Sequence, residues 1–242
     1  MKKRYISFNE RIINRLAEFC FKRKNKDFFI RNLGEDVIQQ LIFGHCTHGV
    51  AHVKYYNIRS AILLPKVFKI TEDLDIFLPL RALYNANIGE LMPKPRPVFL
   101  EWLMPRPRPV FLEWLIGEDT NEKYDNKVID SMLYHVEKYA IPFLDKYNSP
   151  AAIVEGIKKC VYPNRYGENI HACIALLLYG KKEDFLWFVE KRSHELQFSI
   201  YDNSEVHWDY KNPDIPLNLN CKLFLEVIEK LRPIIEEKGI KW

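Results

Sequence analysis

Apolar residues change their spacing along this chain, and each change predicts a change of structure. "SFNERIINRLAEF" places Ile12, Ile13, Leu16 and Phe19 at helical intervals, with Ser7 and Glu10 spaced as a capping box, and predicts an opening helix. "DFFIR" and "VIQQLIF" are short runs rich in aromatic and β-branched residues, parted by the turn-forming "NLGED". They predict a hairpin around Gly34. "VAHVKYYNIRSAILL" predicts a third strand that ends before Pro65. Residues 66–91 fit an extended segment and a short helix, with Pro79 limiting either choice.

Further on, the period becomes helical. Asp119 and Glu122 are candidate caps for a helix carrying Val128, Ile129, Met132, Leu133 and Val136, kinked or ended by Pro142. Ser149 and Pro150 form a cap and first turn for "AAIVEGIKKCV". "ENIHACIALLLYG" ends at Gly180, and "KEDFLWFVEKRSHEL" follows at once, predicting an antiparallel helix pair. A last helix over about residues 220–238 carries Phe224, Leu225, Ile228 and Leu231 and is bent or stopped by Pro233. The fold class expected is α+β: an N-terminal helix plus an antiparallel sheet, then a C-terminal α-helical part. In chain order this gives a sheet region over 1–91, a connection over 92–115 and a helical region over 116–242, with one continuous domain as the alternative.

The connection "MPKPRPVFLEWLMPRPRPVFLEWL" repeats itself. Aligned as 92–103 and 104–115, the two copies differ only at Lys94 against Arg106. Identity at eleven of twelve positions marks a tandem duplication, and two copies are too few for a stacking array. Each copy has a stiff proline half and an apolar "VFLEWL" half, and a single ancestral site has room for one of them. A proline-rich ligand for an SH3-like partner is the functional alternative, but the prolines lie two and four apart and P-x-x-P is absent.

Composition sets broad bounds. The 242 residues are 48% hydrophobic and 28% charged, the balance of a globular protein with a real core. Five scattered cysteines without a C-x-x-C pair suit free thiols in a reducing compartment. The basic start lacks an apolar stretch of secretory type, and "ACIALLLY" is too short to span a bilayer, so the expected setting is cytoplasmic without membrane insertion. The net charge of +4 is uneven: residues 1–31 hold ten Lys/Arg against three Asp/Glu, giving +7 and leaving −3 for the rest. That end could meet nucleic acid; a solvated helix face with a lysine-protected sheet edge is the plainer reading.

Two segments hold candidate site residues. "GHCTHGVAH" gathers His45, Cys46, His48 and His52, four donors that could grip Zn2+. Gly44 and Gly49 mark the same stretch as a connection between strands, and no distant second ligand pair completes a signature. "YDNSEVHWDYKNPDIP" (201–216) mixes His207, Trp208 and Tyr210 with Asp209 and other acids, the composition of an interface for a basic partner protein. Its plainer reading folds Trp208 back onto the helices. Asp73 and Asp75 read as solvated loop carboxylates, and His171 as a core residue within a helix. There is no phosphate loop, nucleophile elbow or H-E-x-x-H motif.

"FKRKNKDFFIRNLGEDVIQQLIF" (21–43) resembles the bacterial family filed as domain of unknown function 4304. The resemblance lies in Phe21-Lys22-Arg23-Lys24, Phe28-Phe29-Ile30-Arg31 and Val37-Ile38-Gln39. It implies an α+β fold with no established catalytic set. "Ile-Phe-Gly-His" stands where the family continues "Asn-Phe-Gln-Lys", which leaves the histidine stretch outside the resemblance. The expectation is a non-catalytic cytosolic module that binds another protein, of accessory or immunity type. A metal-dependent hydrolase using His45–His52 is the first alternative, and nucleic-acid binding through the basic N-terminus the second.

Overall fold

The computed structural model describes residues 10–46, 53–76, 82–93, 114–117, 120–159, 166–197 and 219–241. An N-terminal helix, an antiparallel sheet and a C-terminal helical region give an α+β fold.

Helix α1 (Glu10–Glu18) buries Ile12 and Leu16, while Ile13 stays partly exposed. Ser7, the predicted cap, lies outside the described residues. The helix closes at Cys20, whose φ of 64° is left-handed. Cys20 N–H donates to the Ala17 carbonyl and Phe21 N–H to that of Leu16, a Schellman closure. Strand β1 (Lys22–Arg23) then pairs with β2 (Phe28–Leu33), which forms the predicted hairpin with β3 (Val37–Cys46) across Gly34 at φ 71°. The hairpin is in register from Leu33↔Val37 to Phe28↔Ile42. Strand β4 (Val53–Leu63) pairs with β3 along nine residues, from Ile38↔Leu63 to Cys46↔Tyr55.

The other edge of β4 is shared by two short antiparallel strands. Strand β5 (Tyr84–Asn87) takes Arg59–Ile62, and β6 (Trp114–Gly117) takes Val53–Tyr56. The two therefore run in line, one ending opposite Arg59 and the other beginning opposite Tyr56. Short helix α3 (Ile88–Leu91) follows β5 with a capping box the opening reading missed: Asn87 N–H donates to Glu90 Oε2 at 2.7 Å and Asn87 Oδ1 accepts from Gly89 N–H.

Helix α4 (Glu122–His135) begins one residue after Asn121, whose Oδ1 accepts from Tyr124 N–H at 2.9 Å. Asn121, not Asp119 or Glu122, is the cap. Pro142 neither ends nor breaks the helix. The chain passes through a π-turn (Val136–Ala140), with Ile141 N–H donating to the Val136 carbonyl, and continues as α5 (Ile141–Lys146). Proline removes one N–H from the ladder, and widening the turn before it accommodates the ring.

Two compact units result, Met1–Leu63 with Tyr84–Asn148, and Leu64–Leu83 with Ser149–Trp242. They do not follow chain order at residues 91 and 115. Helix α4 belongs with the sheet because Val128, Ile129, Met132 and Leu133 are buried where it packs on β6 and α1.

The second unit is helical. Helix α2 (Pro65–Asp73), α6 (Pro150–Lys158) and α8 (Lys182–Gln197) pack around α7 (Tyr166–Tyr179), as does α9 (Leu219–Lys230). Residues 169–177 of α7 are buried on all sides, as its apolar sequence demands. His171 is among them, edge-on to Phe68 of α2 with ring centroids 5.4 Å apart. Ser149 caps α6 by accepting from Ala152 N–H at 3.3 Å. Gly180 closes α7 at a contact too tight for a side chain, since a Cβ there would sit 2.8 Å from the Leu176 carbonyl oxygen. Pro233 ends α9, and α10 (Arg232–Glu237) resumes after Leu231.

Candidate interaction surface

Residues paired across antiparallel strands share a face, so the register divides the sheet into two surfaces. The inner face carries Phe29, Val37, Leu41, Phe43, Tyr56, Ile58, Ile62, Tyr84, Trp114 and Ile116, all buried. The helices that meet this face are those of the first unit. Trp114 Nε1 donates to Ser131 Oγ of α4 at 3.0 Å, and its ring stands edge-on to His135 at 5.5 Å. Tyr84 stacks on Tyr147 at 4.6 Å.

One polar network spans this otherwise apolar layer. Gln39, fully buried on β3, donates from Nε2 to the Leu144 carbonyl at the end of α5 and accepts at Oε1 from Arg31 Nε at 2.7 Å. The Arg31 guanidinium also donates to the Phe19 carbonyl, pairs with Asp145 and lies 4.8 Å over the Phe21 ring. One arginine thus ties α1, β1, β3 and α5 together. Of the residues that carry the family resemblance, Phe21, Phe29, Arg31, Val37 and Gln39 are therefore architectural.

The outer face has a different character. Its rungs place Ile30 beside Gln40 and Ala61, Phe28 beside Ile42 and Arg59, and Tyr55 beside Leu115. Phe28, Ile30, Ile38, Ile42, Tyr55 and Leu63 are all partly exposed, and Leu115 is 41% exposed. The described outer-face residues include the cations Lys22 and Arg59 but no carboxylate. Asn57 lies across the sheet at Gly44, where a Cβ would come within 2.8 Å of its Oδ1. The arrangement interleaves apolar side chains with the amides of Gln40 and Asn57, with Arg59 on the inner strand β4 and Lys22 on the edge strand β1. Sequence reasoning missed this surface, although a signal was present: "FFIRNL" and "VIQQLIF" are apolar on both parities, not alternating as in a strand with one wet side.

The residues singled out from the sequence are only partly placed. His45 is the last residue but one of β3 and stands opposite Tyr56, with ring centroids 5.7 Å apart. Burial holds its imidazole below the usual histidine value, and Lys54 pushes the same way. His48 and His52 lie outside the described residues, as does the Cys46 side chain, and among the described residues no group of three or more His, Cys, Asp or Glu is placed to hold a metal ion. His207, Trp208, Asp209 and Tyr210 also lie outside them. Of the repeat, the described Trp114 belongs to the second copy and is 7% exposed.

The basic N-terminal segment spends much of its charge internally. Arg11 pairs with Asp130 and donates to Asn126 at 3.0 Å. Arg15 grips both oxygens of Glu137 at 2.7 and 2.9 Å, and this hydrogen-bonded pair holds the Glu137 carboxyl below its ordinary range. Asp73 and Asp75 are exposed, and Asp75 closes α2 in the left-handed conformation at φ 49°. Burial pushes the Cys173 thiol far up and the Cys221 thiol up to about 11, while Cys20 is exposed. Among the described residues no helix is long and apolar enough to cross a membrane.

No family model matches the chain, and neither a curated protein nor a solved structure matches it.

Proposed function

We propose that the protein is a non-catalytic module that binds another protein, in the cytoplasm, with the outer sheet face as a principal contact surface. A single observation carries the reading: helices of the first unit pack on the inner face of the sheet, while the outer face keeps Phe28, Ile30, Ile38, Ile42 and Tyr55 partly exposed, interspersed with Gln40 and Asn57. Exposed apolar side chains grouped on one face among polar ones are a common mark of a protein contact site. The aromatic–acidic segment with His207, Trp208, Asp209 and Tyr210 supplies a second set of anchors by composition. Inert buried thiols at Cys173 and Cys221 suit a reducing compartment. An accessory or immunity-type role, and membership of the 4304 family, complete the proposal on the strength of residues 21–43.

The test is affinity for a partner that co-purifies with the tagged protein. Ile42→Lys is expected to weaken it at least tenfold while the far-ultraviolet spectrum stays unchanged, and Trp208→Ala with Asp209→Ala to weaken it independently. Unaltered affinity in the Ile42 variant removes the sheet face, and unaltered affinity in the double variant removes the 201–216 segment.

A further inference from the structure

We infer that the slot beside the N-terminal half of β4 can hold either copy of the repeat, so that the chain carries a spare β6. The inference does not rest on the binding reading. Glu113-Trp114-Leu115 recurs without change as Glu101-Trp102-Leu103. The features that seat β6 belong to that shared sequence: Trp114 stands opposite Tyr56, its Nε1 donates to Ser131, and Leu115 stands opposite Tyr55 on the outer face. A second copy of the same three residues would meet the same partners.

The connections allow the exchange. Strand β5 ends opposite Arg59 and β6 begins opposite Tyr56, three residues away along β4, or about 10 Å at strand rise. Residues 88–101 separate Asn87 from Trp102, which is ample chain for that gap even with α3 formed. Twelve residues then pass from the connection before the strand to the one before α4. Closure entropy grows only with the logarithm of loop length, so the shift costs little.

What selects the second copy lies just past the identity. Trp114-Leu115 continues as Ile116-Gly117, with Ile116 buried opposite Lys54 and Gly117 opposite Val53. Trp102-Leu103 continues as Met104-Pro105, which replaces a β-branched residue by a flexible one and puts a residue without an N–H on the last rung. The second copy holds the slot, and the first is its substitute.

Substitution of each tryptophan tests this by urea denaturation. Trp102→Ala is expected to leave the midpoint unchanged, Trp114→Ala to lower it, and the double variant to lower it by more than the two shifts together. A double variant no worse than Trp114→Ala would overturn the inference. Trapping gives a second readout, in a background with Cys20, Cys46, Cys160, Cys173 and Cys221 replaced. With Tyr55→Cys in place, Leu115→Cys is expected to form an intrachain disulfide under mild oxidation. Leu103→Cys is expected to do so much faster once Trp114 is alanine. Absence of a disulfide between positions 55 and 103 in that variant, or one found only between chains, would contradict the exchange. Deletion of residues 104–115 rejoins Leu103 to Ile116 and is expected to keep the parent midpoint; a loss as large as that of Trp114→Ala would also contradict it.

Discussion

The Arg31–Gln39 pair is the sharpest test of how the first unit is held together. Gln39 has no exposure, and both ends of its amide are engaged. Gln39→Leu keeps the volume but leaves Arg31 Nε without its acceptor in a side chain only 12% exposed, a loss of about 2 kcal/mol for a stranded charged donor. Arg31→Met strands Gln39 Oε1 in the core and removes the contact with Phe21, again about 2 kcal/mol. When both are replaced, neither partner is left unpaired, so the double variant is expected to lose about 2 kcal/mol and not about 4. The coupling, about 2 kcal/mol, is well above the scatter of independent sites. Urea unfolding followed by far-ultraviolet circular dichroism measures it directly. Additivity within about 0.5 kcal/mol would refute the claim that this pair acts as one unit across the layer.

Three further outcomes follow from individual residues. Because the folded state holds His45 below its ordinary value of 6.5, the unfolded chain takes up the proton first as pH falls, and stability drops from about pH 6.5 downward; His45→Gln is expected to flatten that slope in melts between about pH 8 and 5, and an unchanged slope counts against it. Cys20 occupies a left-handed position of the kind Gly239 fills at the end of α10, so Cys20→Gly is expected to raise stability by about 0.5–1 kcal/mol in urea titrations, and a loss would contradict the closure described. With Cys46 and Cys160 replaced by serine, one thiol, Cys20, is expected to react with a disulfide reagent in the native state and two more, Cys173 and Cys221, only on unfolding; a rapid second thiol would refute their burial.

Local patterns made much of the architecture legible. The β2–β3 hairpin follows from turn chemistry at Gly34, and α6 from Ser149-Pro150, because the deciding residues are neighbours in sequence. What depended on distant partners was not legible. Arg11 and Arg15 counted towards a basic surface, yet their partners Asp130 and Glu137 stand more than a hundred residues away. The periodicity of α4 announced a helix but not that its apolar side lies on the sheet unit. Asn121 displaced Asp119 as the cap because only the residue beside the first turn can reach its N–H groups. Strand β6 is four residues that straddle the end of the repeat, too short for a period to show. The histidine stretch and the 201–216 segment remain readings of composition, since His45 alone of their site side chains is described.

The proposed recognition surface is tested most directly by photo-crosslinking. A benzophenone amino acid placed at Ile42 on the outer face, and as a control at Lys123 on the exposed side of α4, would be irradiated in cells that make the protein. A discrete adduct with one other protein from position 42, absent from position 123 and abolished by Tyr55→Lys, is the predicted result. Equal labelling from both positions, or unfolding of the position 42 variant because that side chain belongs to the core, would contradict the account.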